Sequence, residues 1–186
     1  MNLLLPLAEG FEEVEAITAA NLLRRAGHQV TLASCAGGPT TAARGVTLVP
    51  DRNWEEIDPV SFQGIVIPGG QGGTERLQGH LGVLDALRRL NAAGSLIGAI
   101  CAGPLVLHAS GILEGRTVTS FPGVAGELTG THWRDEPVVC DGKLITSQGP
   151  GTAIAFGLAL VASLDGRPRA AALAVEIAYR PREISW

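Results

Sequence analysis

Short apolar runs alternate along the chain with longer segments in which apolar residues recur at helical spacing. The short runs predict buried strands at residues 2–7, 29–35, 64–67, 95–100 and 117–121. The longer segments predict helices at residues 12–26, 73–93, 102–110, 151–164 and 170–178. Strands and helices that alternate in this way are typical of a parallel sheet covered by helices on both faces.

Two of the predicted helices carry clear apolar positions at this spacing. In the helix at 12–26 they are Val14, Ile17, Ala20, Leu22 and Leu23. In the helical region at 73–93 they are Leu77, Leu81, Leu84, Leu87 and Leu90. Each set predicts an amphipathic helix with one apolar face.

Two further segments predict β-hairpins. Residues 40–50 are interrupted at Arg44-Gly45, and residues 138–147 turn at Asp141-Gly142, a dipeptide that favours tight hairpin turns. No internal repeat, low-complexity tract or linker divides the chain. We therefore predict a single α/β domain over residues 1–186, with a doubly wound, mostly parallel sheet.

Composition and charge narrow the function classes. The formal net charge is −4 and no window concentrates the basic residues, so nucleic acid is an unexpected partner. No segment reaches the roughly 18 uninterrupted apolar residues of a membrane span, and the N-terminus lacks the basic region of a signal peptide. We therefore expect a cytoplasmic protein that does not act at a membrane.

The three cysteines stand at positions 35, 101 and 140. They form neither a CxxC pair nor a spacing with histidine that is typical of zinc, so we expect no disulfide framework, no metal and no other cofactor. Cys35 and Cys140 are interpreted as ordinary strand-end cysteines.

Three unusual segments follow predicted strands, at residues 9–15, 68–73 and 99–104. In an open parallel sheet, ligands bind outside the carboxyl ends of the strands. If the strands are assigned correctly, these three segments converge on one crevice.

Cys101 is the strongest candidate for chemistry in that crevice. It lies between a buried strand and a helix start, where free backbone N–H groups and the helix dipole favour an anion. These features predict a thiol pKa below its ordinary value of about 8.5, in a geometry that parallels the nucleophile elbow. The alternative is a buried, unreactive cysteine of the core.

Backbone donors for a developing oxyanion could come from Gly69, Gly70 and Ala102. The alternative for the glycine pair is a turn with no further role. The stretch at 68–73 lacks the GxGxxG spacing and the lysine of a P-loop, so it does not predict a nucleotide site.

Glu15 is the candidate partner of the cysteine. Its position on the first predicted helix could direct it into the crevice, where burial would raise its pKa and let it donate a hydrogen bond to sulfur. Glu12 and Glu13 are explained by the preference of helix N-termini for negative charge. Only His132 lies in a loop that could approach the site, so a Cys-His dyad is not evident.

These motifs together resemble those of the ThiJ/PfpI superfamily, in its branch of the Parkinsonism-associated protein deglycase and YajL. The resembling segments extend over nearly all of the chain. They are residues 9–15, 23–27, 44–46, 67–70, 99–104 and 144–152.

The resemblance implies a flavodoxin-like sandwich, a homodimer and an oxidation-sensitive nucleophile at Cys101 whose partner is Glu15. It also implies that the backbone of Gly69, Gly70 and Ala102 lines the anion site. Activities implied by the resemblance are a glutathione-independent glyoxalase reaction on methylglyoxal, removal of early methylglyoxal adducts from side chains, and redox-dependent chaperone behaviour.

The chain departs from several relatives at functional positions. Protease-like members have histidine directly after the nucleophile, where this chain has Ala102. The deglycase has a His-Pro pair where this chain has Phe121-Pro122, so acid-base chemistry is left to Glu15. The later His-x-Glu of glutamine amidotransferases is absent.

Two functional hypotheses follow. The first is a cofactor-free, cysteine-dependent glyoxalase or deglycase that acts on methylglyoxal or its early adducts, with small 2-oxoaldehydes or glycated side chains as partners. The alternative is a redox-sensing chaperone whose thiol oxidises but does not turn over. A peptidase or amidase is disfavoured because the dyad is missing.

Overall fold

The computed structural model describes residues 1–180, and its elements follow the alternation of the sequence. The strands are β1 (Asn2–Leu7), β2 (Gln29–Ser34), β3 (Thr40–Thr41), β4 (Thr47–Leu48), β5 (Arg52–Asn53), β6 (Gly64–Ile67), β7 (Leu96–Ile100), β8 (Thr117–Val118), β9 (His132–Trp133), β10 (Val138–Asp141) and β11 (Leu144–Ser147). The helices are α1 (Glu13–Arg25), α2 (Gln71–Gln78), α3 (Leu81–Ala92), α4 (Pro104–Ala109), α5 (Ala153–Asp165) and α6 (Arg167–Glu176).

The main sheet has seven strands in the order β10-β11-β7-β6-β1-β2-β5. Every neighbouring pair in it is parallel except β10 and β11, which form the predicted antiparallel hairpin. Because most of the sheet is parallel, the carboxyl ends of β1, β6 and β7 lie at the same edge. No helix within residues 1–180 has the length and apolar character needed to cross a membrane.

Helices cover both faces of this sheet. Side chains of α1, α5 and α6 pack in one core layer, and side chains of α2, α3 and α4 pack in the other. Strand β1 contributes side chains to both layers, because alternate side chains of a strand point to opposite faces. Leu3 and Leu5 belong to the first layer, and Leu4 belongs to the second. The predicted doubly wound α/β fold is confirmed.

The helical region predicted at 73–93 is two helices. The chain turns at Gly79 and His80, and the His80 ring accepts a hydrogen bond from the Val83 N–H at 3.2 Å, which caps the start of α3. The break also changes the direction of Leu81, whose side chain is 80% exposed and does not join the buried face that was predicted for it.

The strand predicted at 117–121 is shorter than expected. Only Thr117–Val118 is a strand, and it pairs with His132–Trp133 in a separate two-stranded sheet. Beyond it the backbone bonds to other partners: the Thr119 N–H donates to the Thr146 hydroxyl. These contacts end the regular ladder.

On α1, the predicted apolar positions divide between the core and the surface. Ala20, Leu22 and Leu23 are buried, whereas Val14 and Ile17 are exposed. The short edge strand β5, which pairs with β2, is not predicted by the sequence pattern. The hairpin predicted at 40–50 is confirmed by the antiparallel β3 and β4. Residues 181–186, the end of the predicted domain, lie outside the described part.

Candidate active site

Cys101 occupies the turn between β7 and α4. Its φ is +62°, in the left-handed region that residues with a side chain seldom adopt. The backbone is held on both sides, since the Cys101 N–H donates to the Ser147 carbonyl at 2.9 Å and the Cys101 carbonyl accepts from the Phe121 N–H at 2.8 Å. Strand β11 and the segment after β8 thus hold the strained conformation that a nucleophile elbow requires.

The sulfur of Cys101 lies among main-chain donors. The backbone N–H groups of Gly70 and Ala102 both donate hydrogen bonds to it. One donor comes from the loop after β6 and the other from the turn after β7, so the two neighbouring strand ends form the anion site together. These are two of the backbone groups that the sequence singled out.

Glu15 lies in the first turn of α1 and is fully buried. Its Oε2 accepts a hydrogen bond of 2.7 Å from the Gly69 N–H, and the carboxyl group shares a second hydrogen bond with the Cys101 thiol. Oε1 has no hydrogen-bond partner among the described residues. Glu15 is therefore desolvated and in direct contact with the sulfur.

The electrostatics of the pair correct one sequence-based expectation. Burial raises the pKa of Glu15 from 4.5 to about 7, as expected. Burial, and then the negative charge of Glu15, raise the pKa of Cys101 from 9.0 to about 12, although Gly70 and Ala102 act in the opposite direction. The prediction of a depressed pKa for Cys101 is thus wrong, because burial of the sulfur, followed by the negative charge of Glu15, outweighs the two backbone donors.

Gly69 and Gly70 allow the close approach of the three segments. A Cβ added to Gly69 would lie 2.5 Å from the Cys101 Cβ and 2.7 Å from the Glu15 Oε2. Gly70 has φ +87°, and a Cβ there would collide with the carbonyl oxygen of Gly10. The glycines are required by packing, whatever their role in chemistry.

A cleft of about 890 Å³ opens above Cys101 and Ala102. Within residues 1–180 no histidine lines it: His132 is on β9, and His108 donates from Nε2 to the Thr129 carbonyl at 2.9 Å. In the same part of the chain, no group of three His, Cys, Asp or Glu side chains is placed to hold a metal ion. Cys35 and Cys140 also lie outside the cleft lining.

Several cleft residues were not assigned to the site from the sequence. Glu12 lines the cleft although it was explained as a helix-start residue, and Arg44, Thr74, Leu105 and Phe121 also contribute. Leu105 could have been found from its position in the first turn of the helix that follows Cys101. The others depend on how distant loops fold together, so sequence spacing carries no signal for them.

The motifs and the geometry agree with a match to a protein-family model. The model described as DJ-1/PfpI family matches residues 1–163. The chain belongs to the DJ-1/PfpI family. The resemblance inferred from the motifs is therefore confirmed, and so is the flavodoxin-like architecture that it implied.

Relatives in this family support the assignment over most of the chain. DJ-1beta of Drosophila melanogaster is 41% identical over 166 residues, which cover 88% of this chain and 89% of the relative. Its crystal structure superposes with a TM-score of 0.93, at 38% identity, over 97% of this chain and 98% of that one.

Two other relatives carry names that state an activity. A protein of Caenorhabditis elegans named a glutathione-independent glyoxalase is 39% identical, with 88% of each chain covered. A protein of Pyrococcus abyssi named a deglycase is 34% identical, covering 84% of this chain and 95% of the relative. The family thus includes members that are named as enzymes.

Proposed function

We propose that this protein is a cysteine-dependent enzyme of the glyoxalase or deglycase type, which acts on methylglyoxal or on its early adducts without a cofactor. The observation that carries the proposal is the contact between the Cys101 sulfur, the buried carboxyl group of Glu15 and the N–H groups of Gly70 and Ala102 at the base of an open cleft. The names of the two relatives with a stated activity are consistent with it.

In the first step, the Cys101 sulfur would add to the aldehyde carbon of methylglyoxal as its proton passes to the ionised carboxylate of Glu15, because a free thiolate is disfavoured in this buried site. A sulfur–carbon bond forms, and the sulfur–hydrogen bond and the carbonyl π bond break. The N–H groups that surround the sulfur stabilise the developing oxyanion, and Glu15 returns its proton to that oxygen.

The second step moves hydrogen within the adduct. Glu15 takes the proton from the former aldehyde carbon and supplies it to the neighbouring carbon, and the hydroxyl proton of the former aldehyde passes to the oxygen of that neighbouring carbon, which yields a lactoyl thioester. One carbon is oxidised and its neighbour is reduced, so the step needs no external oxidant. Water then cleaves the thioester, which releases lactate and restores the thiol. A carboxyl group with a pKa of about 7 is suited to accept and donate the proton near neutral pH.

Lactate formation from methylglyoxal, in a buffer free of thiols, tests this mechanism. We expect turnover by the wild type, none by Cys101→Ala, and a rate close to that of the wild type for Cys140→Ala, because Cys140 is exposed on the edge strand β10. Glu15→Gln should reduce turnover by about 10²- to 10⁴-fold, the usual contribution of a general acid–base. Equal rates for Cys101→Ala and the wild type would refute the mechanism.

A second candidate function is redox sensing with chaperone activity. The same N–H donors and a protonated Glu15 could stabilise a sulfinate, formed when peroxide adds two oxygens to the Cys101 sulfur. Intact mass after mild peroxide treatment distinguishes the two functions. Oxidation confined to Cys101, together with negligible turnover of any oxoaldehyde, would favour sensing.

We also propose that the chain forms a homodimer through the exposed side of α1. Val14 and Ile17 are exposed there, and Ile17 lines a shallow groove together with Leu48 of β4. A second copy would remove this apolar surface from water. Light scattering should give a dimer for the wild type and a monomer for Ile17→Glu, and a monomeric wild type would contradict the proposal.

A further inference from the structure

The lining of the cleft above Cys101 has an apolar part. This apolar wall consists of Leu105 on α4, Phe121, and Val124 in the short turn that follows Phe121. Polar residues of the lining come from the segment before α1 (Glu12), from α2 (Thr74) and from the end of the turn that holds Val124 (Glu127). The apolar wall is thus bounded by polar residues of the same cleft.

The structure holds the apolar wall next to the nucleophile. Phe121 donates its backbone N–H to the Cys101 carbonyl at 2.8 Å, and Leu105, in the first turn of α4, donates its N–H to the carbonyl of Ala102, the residue after Cys101, at 2.9 Å. Val124 donates its N–H to the Phe121 carbonyl at 3.0 Å. A group bound at Cys101 therefore lies beside this wall.

The ring of Phe121 lies beside two glycines and is about half exposed. Its edges approach two glycines: a Cβ at Gly123 would lie 3.0 Å from the Phe121 Cε1, and a Cβ at Gly149 would lie 3.8 Å from the Phe121 Cδ2. The side chain nevertheless remains 49% exposed, and it is the only aromatic residue among the large exposed hydrophobic residues within residues 1–180. An apolar group that covers the ring would remove its own apolar surface and the exposed surface of the ring from water.

The volume of the cleft also points to a substrate larger than methylglyoxal. The volume of about 890 Å³ lies within the range of clefts that bury ligands of drug size, and methylglyoxal is far smaller than such ligands. Resting on the proposed function, we infer that the apolar wall selects 2-oxoaldehydes whose substituent is a bulky apolar group, such as an aryl ring, over methylglyoxal. Phe121 is the specificity-determining residue.

The test measures kcat/KM for phenylglyoxal and for methylglyoxal and takes the ratio of the two values. Comparing this ratio between a variant and the wild type removes the difference in intrinsic reactivity between the two aldehydes. Phe121→Ala should lower this ratio by about 10- to 100-fold, the usual range for apolar groups in a pocket. Phe121→Leu should retain part of it. Leu81→Ala, which truncates an exposed apolar side chain outside the cleft, should leave the ratio unchanged. An unchanged ratio in Phe121→Ala would overturn the inference.

A second measurement does not depend on turnover. Mandelate and lactate, the products expected from the two substrates, carry the same charge and differ in the apolar group. Mandelate should protect Cys101 from alkylation by iodoacetamide at a concentration at least about tenfold lower than lactate, and Phe121→Ala should remove the difference. Equal protection by both, or none by either, would overturn the inference, whereas loss of lactate formation alone would count against the proposed function.

Discussion

Neutralising Glu15 should make the protein more stable, and the gain should grow with pH. Burial raises the pKa of Glu15 from 4.5 to about 7, so ionising this carboxyl group costs the folded state more than the unfolded state. The contribution of protonated Glu15 to the free energy of unfolding is fully present below pH 4.5, and it is lost as pH rises through about 7. The difference between the two pKa values corresponds to about 3 kcal/mol of the free energy of unfolding.

The assay is urea unfolding of the wild type and Glu15→Gln between about pH 5 and about pH 8, at one protein concentration. Glutamine has nearly the same shape, keeps an oxygen that can accept from the Gly69 N–H, and does not ionise. We expect the difference in unfolding free energy between the two proteins to shift by about 2 to 3 kcal/mol in favour of the variant over this range.

Glu136→Gln is the matched control, because Glu136 is exposed and lies outside the site. Its pH dependence should run parallel to that of the wild type. If the wild type and Glu15→Gln lose the same stability between about pH 5 and about pH 8, then Glu15 is not held in a desolvated site and the assignment of its proton is wrong.

Two further predictions concern the backbone and an ion pair. Gly70→Ala should destabilise the protein by several kcal/mol more than Gly45→Ala, measured by urea unfolding; both glycines have positive φ, but an added Cβ meets the Gly10 carbonyl oxygen at Gly70 and open space at Gly45. Similar losses of stability in the two variants would show that backbone strain, and not collision with the Gly10 carbonyl, determines the cost of replacing Gly70. Asp141→Asn should cost about 1 kcal/mol at neutral pH, because Arg116 hydrogen-bonds the carboxylate and lowers its pKa. That loss should shrink well below the ordinary pKa of 3.8, and a loss independent of pH would refute the role of charge.

The partners of Glu15 and Cys101 depend on distances that no local pattern contains. Sequence placed both residues at the carboxyl edge of the sheet, because strand ends and helix starts follow from apolar periodicity. The order of their proton affinities required the burial of Glu15 and its contact with the sulfur. A helix start alone predicts an anionic thiol, whereas the structure buries the sulfur and places beside it a second acid that competes for the charge.

On α1 and α3, too, the packing of distant elements decides which apolar residues are buried. Val14, Ile17 and Leu81 match the helical period, yet their side chains are exposed. A hydrophobic period indicates which residues can share a face, and it does not state whether a neighbouring element covers that face. The position of the sheet and of the neighbouring helices decides this.

By itself, the sequence determined the alternation of strands and helices, the layered α/β fold and the segments that meet at the strand ends, because these follow from short-range periodicity and from turn residues such as Gly69 and Gly70. Only the tertiary structure decided the protonation balance of Glu15 and Cys101 and the composition of the cleft wall around Phe121. Desolvation and charge–charge contacts arise between residues far apart in the chain, and they exist only once those residues are packed together.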